Sequence, residues 1–299
     1  MTYEDDVDKD PSRPKAADWS AYAVDVRQEW SELLDRSEKE SELQEFLEQN
    51  PSMLPGADGN VAIGGNHGTV SYDAAISQPR FIGLKTRVPD FMWVTKSSVT
   101  LEPVCIEIER ANKFWFNPDG QQTAQLTEAH GQLGQWSAWF AVPENQLLFR
   151  RTFADNFPDH KLLPAYVLGY GRRSEFTEAG GRHADPGYMR MKRAEIAKVR
   201  ETLMSLDSFE PNWKVRHAAT LKMRDSGLEL WALPRTFTTG PHMRGLAAKF
   251  TDPAEALARS QGWTDERREY VAKRWAFWRD VPSPSDGMTD MNVFSTYDE

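Results

Sequence analysis

Apolar residues recur at three- and four-residue intervals from Trp19 onward: Trp30, Leu33 and Leu34, then Leu43, Phe46 and Leu47. That is the period of helices with one buried face. Ser41 is the expected cap of the second helix. Asn50-Pro51 is its expected end, because proline pushes the residue before it out of the helical region. Residues 56–80 are rich in Gly, Asn and Ser, with Gly64-Gly65-Asn66 as a turn signal, and read as a loop or short strands.

The period then falls to two. Phe81–Leu84, Val88–Val94 and Leu101–Glu109 read as strands, with Val104, Ile106 and Ile108 on one face. A turn near Lys96-Ser97-Ser98 would join the last two as a hairpin. Asn117-Pro118-Asp119-Gly120 is a turn. A helix over Thr123–Phe140 follows, burying Leu126, Ala129, Leu133, Trp136 and Phe140. Pro164–Leu168 reads as a strand ending at Gly169, and Tyr188–Met204 as one long helix rich in Lys and Arg. Ala218–Met223 and Leu228–Leu233 make a hairpin around Asp225-Ser226-Gly227. Helices are expected near 253–261 and 264–278.

This order predicts an α/β fold, a mixed β-sheet with helices on both faces. The expected division is a disordered acidic tail over 1–18, one main domain over 19–235, and a helical extension over 236–299, frayed beyond 281 at Pro282 and Pro284.

Composition narrows the picture modestly. A chain of 299 residues, 39% hydrophobic and 27% charged, is ordinary for a soluble globular protein. No apolar run approaches the roughly 18 residues of a membrane span, and no secretory signal follows Met1. The single cysteine, Cys105, sits in an apolar run and reads as a small buried hydrophobe. A reducing cytoplasm fits. The net charge of −9 argues against non-specific coating of nucleic acid. Part of that excess is Glu4, Asp5, Asp6, Asp8 and Asp10 in the tail.

The chemistry concentrates in one place. Val88-Pro89-Asp90-Phe91 puts an acid at one strand, and Ile106-Glu107-Ile108-Glu109 puts two acids on alternate positions of the next. Alternate strand residues share a face, so Asp90, Glu107 and Glu109 are expected to converge. Such a set suits a hard divalent cation, Mg²⁺ or Mn²⁺, and metal-dependent cleavage of a phosphodiester. The bland alternative is a solvated strand face. The pattern is similar to the Pro-Asp…(Asp/Glu)-x-Lys nuclease signature, with Glu109 in the lysine's place. Glu109 would then act as a base or hold metal, and Lys96 and Lys113 are nearby in sequence. Gln132 and Gln135, at i, i+3 on the following helix, could bind the water or the scissile phosphate. The alternative is a polar helix face with Trp136 in the core.

These segments together resemble the Shedu immune nuclease domain over roughly 38–235. Glu42–Leu54 carries its helix entry, with Phe46-Leu47 and Asn50-Pro51. Arg87-Val88-Pro89-Asp90-Phe91, Ile106–Arg110, the Ala129…Gln132…Gln135-Trp136 helix and Val167-Leu168-Gly169-Tyr170-Gly171-Arg172 follow in order. The resemblance implies a restriction-endonuclease-like fold of the PD-(D/E)xK superfamily, metal-dependent DNA cleavage, anti-phage defence and self-assembly as a homo-oligomer. Asp90 and Glu107 take its metal-ligand places, Glu109 the lysine's and Gln132 the helical glutamine's. An acid from the first helix of the match would join them, with Glu42 favoured over Glu40 and Glu45.

DNA would need a basic surface. Arg190, Lys192, Arg193, Lys198 and Arg200 crowd the helix expected at 188–204, and Arg172 and Arg173 follow the preceding strand. A solvated helix face paired with Glu195 and Glu201 is the alternative. Trp115 and Phe116 are either core residues or stacking platforms for bases. Two further functions compete with the nuclease: a catalytically weak or inactive module that binds nucleic acid or senses a phage factor, and a paired-carboxylate glycosidase.

Overall fold

The computed structural model describes residues 13–58, 70, 73–83, 86–154 and 159–281. The turn expected at Gly64-Gly65-Asn66, Leu84, residues 1–12 of the expected tail and residues 282–299 lie outside the described residues.

The first helix, α1 (Trp19–Arg36), starts at Asp18, whose carboxylate accepts from the Ala21 amide at 3.1 Å and satisfies one of the unpaired first-turn donors. The second, α2 (Glu40–Gln49), has no side-chain cap; Ser41 lies inside it, because the helix already begins at Glu40. It ends at Asn50, as the following proline requires.

Eight strands form one mixed sheet: β1 (Ala74–Ser77), β2 (Phe91–Lys96), β3 (Thr100–Ile108), β4 (Lys161–Leu162), β5 (Ala165–Gly169), β6 (Glu201–Met204), β7 (Ala219–Arg224) and β8 (Gly227–Ala232). Their order is β6-β5-β3-β2-β1-β7-β8, with β4 beside β3. The pairs β1–β2, β2–β3 and β7–β8 are antiparallel, whereas β5 lies parallel to β3, β6 to β5 and β7 to β1.

Alternation splits the core in two. Phe91, Trp93, Val104, Ile106, Ile108 and Val167 meet Trp30, Leu34, Leu43 and Leu47 of α1 and α2. Met92, Val94, Cys105, Tyr166 and Leu168 share the other cluster with α3 (Ala124–Phe140), α4 (Pro143–Phe153) and α5 (Pro186–Ile196). The C-terminal helices α6 (Arg244–Lys249), α7 (Ala254–Arg259) and α8 (Asp265–Asp280) join that same cluster. Burial of both faces leaves β3 with eight of its nine residues buried. A carboxylate on this strand is therefore an exception that needs a reason.

Several expectations are corrected. The basic helix stops at Ile196, and Glu201–Met204 is strand β6 beside β5. Arg200 turns the chain at φ 69°, and its guanidinium donates to the Pro164 carbonyl at 2.6 Å. A long-range partner strand thus overrides local helical spacing. Phe81 forms only an isolated bridge with Arg87, and the strand expected from Val88 begins at Phe91. Helices α4 and α6 were not foreseen. Among the described residues no helix is long and apolar enough to cross a membrane.

Candidate active site

Asp90 ends the approach to β2, and Glu107 is the penultimate residue of β3. The register Phe91↔Ile106 makes them neighbours across the hairpin. Asp90 is locked from two sides: its carbonyl accepts from the Gln78 amide at 2.8 Å, and its carboxylate from the Ile108 amide at 2.8 Å. Glu107 is 7% exposed, and its Oε2 is buried with no N–H or O–H donor reaching it. Its neighbour across the hairpin is the Asp90 carboxyl, whose charge opposes its ionisation. Glu109 follows β3; its amide still bonds the Gly169 carbonyl of β5 at 2.9 Å. Its carboxylate is paired with the Lys113 ammonium. Glu40, the first residue of α2, lies near enough to Glu109 and Lys113 to feel both charges.

Asp90 thus neighbours Glu107, and Glu40 lies near Glu109. Their electrostatics are adverse. Burial, with Glu40 and Glu109 adding to it, pushes Asp90 up to about 7 against the pull of the Ile108 amide. Burial raises Glu107 well above the usual carboxylate range, and Asp90, Glu109 and Glu40 add to it. Burial also raises Glu40, with Glu109 adding and Lys113 opposing. Two neighbouring buried carboxyls that oppose each other's ionisation require a proton or a cation. A divalent ion would displace the proton, and the donor set of Asp90 and Glu107 fits one. Among the described residues no three His, Cys, Asp or Glu side chains are grouped to hold a metal ion, so Asp90, Glu107 and Glu109 do not converge as a three-acid set. The fit is to an ion that takes few protein ligands and keeps its waters, as Mg²⁺ does.

Two buried acids hold the surroundings, and no local pattern marked them. Glu175 accepts from the Trp115 and Phe116 amides at 2.8 and 3.0 Å and bonds His183 at 3.0 Å, fixing the loop after Lys113. Glu48 pins α2 to the sheet. Its carboxylate meets Lys222 Nζ and Trp231 Nε1, each at 2.7 Å, and its carbonyl accepts from Thr220 Oγ1. Both acids act through residues distant in sequence.

Other predicted residues lie elsewhere. Glu42 is exposed and lines an outer groove with Glu29, Glu32, Arg36 and Phe46. It sits two residues, about 200° of helix turn, from Glu40, so only one of them can face the cluster. Gln132 is half-buried on α3, and among the described residues no hydrogen bond links it to the carboxyls. A neighbour on that helix serves the sheet: His130 bonds Glu201 at 2.6 Å. Lys96 lies at the far end of β2 from Asp90 and acts on Asp73. Trp115 and Phe116 are fully buried, in keeping with the core reading.

The basic residues all have partners. Arg172 pairs with Asp35 and Asp207 at 2.7 and 2.9 Å. The Arg173 amide donates to Asp207 and its guanidinium to Ser208. Arg190 donates to the Phe176 carbonyl and Lys192 to that of Gly120. Arg193 lies over the Phe176 ring, 4.9 Å from its centre. Burial lowers its pKa, and Arg173 and Arg190 beside it lower it further. Arg173, Arg190 and Arg193 are thus together, with part of their donor capacity already used.

The chain matches no curated protein. A family model described as Shedu protein SduA, C-terminal, matches residues 37–209. The match begins just before α2, closes after β6, and contains Glu40, Asp90, Glu107, Glu109 and Lys113. It covers more than half of the sequence, and the chain belongs to the Shedu family through this SduA C-terminal region.

Proposed function

We propose that this protein is a metal-dependent DNA endonuclease of the PD-(D/E)xK, restriction-endonuclease-like type, acting in anti-phage defence. One observation carries the reading: Asp90 and Glu107 are neighbours across the β2–β3 hairpin, and the buried Glu107 Oε2 has no hydrogen-bond donor. Structural acids are normally satisfied by protein donors; an acid oxygen left without one is suited to a cation. Membership of the Shedu family supports the defence role, and the resemblance to its nuclease domain supports DNA as substrate.

In this reading Asp90 and Glu107 hold Mg²⁺ or Mn²⁺. The bound ion would supply an activated water and stabilise charge growing on the phosphate. The chain's own part is to keep the two carboxyls rigid, through the Ile108 amide and the β2–β3 register, and to exclude bulk water around them. Arg173, Arg190 and Arg193 are the cations best grouped to meet DNA backbone, with Arg172 and Lys192 beside them. Self-assembly belongs to the same proposal.

The test is incubation of the protein with plasmid and linear DNA in Mg²⁺ or Mn²⁺. Cleavage that Asp90→Ala and Glu107→Ala remove supports the enzyme. DNA binding without cleavage under either metal sinks it, and favours a second reading, a nuclease-fold module that binds or senses. That reading rests on one feature, the glutamate at position 109. Light scattering in solution tests self-assembly.

A further inference from the structure

We infer that Lys113 is the cation of this site, and that Glu109 is its holder rather than a metal ligand. The inference rests on the nuclease reading and assigns two roles within it. A phosphodiester is anionic, and a pocket of four carboxyls repels it. Metal bound by Asp90 and Glu107 offsets part of that repulsion; a second, fixed positive group facing the phosphate offsets more and stabilises charge growing in the transition state. Lys113 is placed for this. Its ammonium is paired with Glu109 and acts on Glu40, so it lies among the carboxyls rather than in solvent. Its side chain is 14% exposed and that of Glu109 is 9%.

The backbone carrying Lys113 is held on both sides, which an idle surface lysine would not require. Its amide donates to the Arg110 carbonyl at 3.3 Å, closing a turn directly after β3. Its carbonyl packs against Gly171, where a Cβ would come within 2.5 Å of it. Gly171 also has φ +55°, a conformation that favours glycine. The next two amides in the chain after Phe114, those of Trp115 and Phe116, are bound by Glu175. The turn is therefore fixed by β5's exit on one side and a buried acid on the other.

Glu109, by contrast, has its carboxylate engaged by the Lys113 ammonium, which leaves it less free to ligate metal. Its position two residues after Glu107 brings Lys113 back to the end of β3. A lysine displaced along the chain is thereby returned to the cluster by an ion pair. Glu109 is a positioning residue, and Lys113 is the residue that would touch substrate phosphate.

The test compares Mn²⁺ binding by calorimetry with single-turnover DNA cleavage, in the full-length chain, for Glu107→Gln, Glu109→Gln, Lys113→Met and Lys113→Arg. Glu107→Gln is expected to weaken Mn²⁺ binding by about tenfold or more. Glu109→Gln and Lys113→Met should each cost less Mn²⁺ affinity than Glu107→Gln does, a direct ligand being lost in neither. Lys113→Met should slow cleavage by about a hundredfold or more, as removal of one charge-stabilising donor does, and Lys113→Arg should recover a large part of that. Arginine rescue separates a charge requirement from a packing one. Loss of Mn²⁺ affinity in Glu109→Gln as large as in Glu107→Gln overturns the assignment, as does wild-type cleavage by Lys113→Met. A wild-type protein that neither binds Mn²⁺ nor cuts DNA overturns the nuclease reading itself, and the assignment with it.

Discussion

The Asp90 carboxylate closes on the Ile108 amide at 2.8 Å, across the hairpin from its own strand. That bond ties the start of β2 to the end of β3 and sets Asp90 against Glu107. It also opposes the burial that raises the Asp90 pKa, so the carboxylate form is kept within reach of neutral pH. The site therefore combines rigid backbone with side chains whose charges are unfavourable until a cation arrives.

Asp90→Ala and Glu107→Ala are expected to slow any cleavage by about a hundredfold or more while leaving the protein folded. Removing Glu107 relieves repulsion within the cluster, so metal-free Glu107→Ala should melt no lower than wild type, whereas Asp90→Ala also loses its bond to the buried Ile108 amide and should melt somewhat lower. Thermal melting in chelator and a plasmid-nicking assay check the two halves. A variant that cuts at the wild-type rate would remove its residue from the site.

Burial of Asp90, with repulsion from Glu40 and Glu109 adding to it, makes the metal-free fold sensitive to alkali. The folded value for Asp90, about 7, lies above its ordinary value of 3.8. The folded state therefore binds a proton that the unfolded chain has released. This contribution is whole below about pH 3.8 and is lost as pH rises through about 7. Melting temperature in chelator should fall between pH 5 and about 8, and Asp90→Asn should flatten that fall. An identical slope in wild type and Asp90→Asn would refute the link.

His217 should act in the opposite direction. Burial, with Arg216 and His242 nearby, lowers it from 6.5 to about 3. One ring nitrogen meets the Thr236 carbonyl and the Thr238 hydroxyl, each at 3.1 Å. The unfolded chain binds a proton that the folded state refuses, so this stability is present above pH 6.5 and lost as pH falls toward about 3. His217→Asn should reduce acid destabilisation in urea titrations at pH 4.5 relative to pH 7.5 by about 1–2 kcal/mol.

Glu48→Ala should be costly. It leaves Lys222 and Trp231 Nε1 without their partner beneath α2, where the side chains of Glu48 and Lys222 are only 4% and 13% exposed. Breaking one partner of a buried pair costs roughly 3–5 kcal/mol. Replacing both, as Glu48→Leu with Lys222→Met, should recover most of that. Chemical denaturation of the single and double variants measures it. Because α2 also presents Glu40, Mn²⁺ affinity in Glu48→Ala should shift as well.

Gly171→Ala tests the turn that carries Lys113. An added methyl meets the Lys113 carbonyl at 2.5 Å, on a residue with φ +55°. A strained backbone of this kind costs about 1–3 kcal/mol. Cleavage should fall further than stability alone explains, because the displaced turn moves Lys113. Unchanged cleavage in a folded Gly171→Ala would mean that the turn's placement does not matter to the site.

Local chemistry determined much of this protein. Helical spacing marked α1, α2 and α3, because apolar residues three and four apart form one stripe. Alternation marked β3 and its two faces, because side chains on a strand change sides at each residue. The Asp225-Ser226-Gly227 turn marked the β7–β8 hairpin, and Gly227 takes φ +120° there. The pairing of Asp90 with Glu107 was legible for the same reason: both lie in one hairpin, and a hairpin's register follows from its turn.

Only the tertiary structure decided the rest. Glu201–Met204 became a strand because β5 offered it a parallel edge, an energy that no local window contains. Glu40 rather than Glu42 faces the acids because Glu48, one end of α2, is pinned by Lys222 and Trp231, which sets the helix's rotation. Lys113 reaches Glu109 because Gly171 and Glu175, both far along the chain, hold its turn. Sequence places residues on a face; which faces meet depends on burial and partners that only the assembled chain supplies.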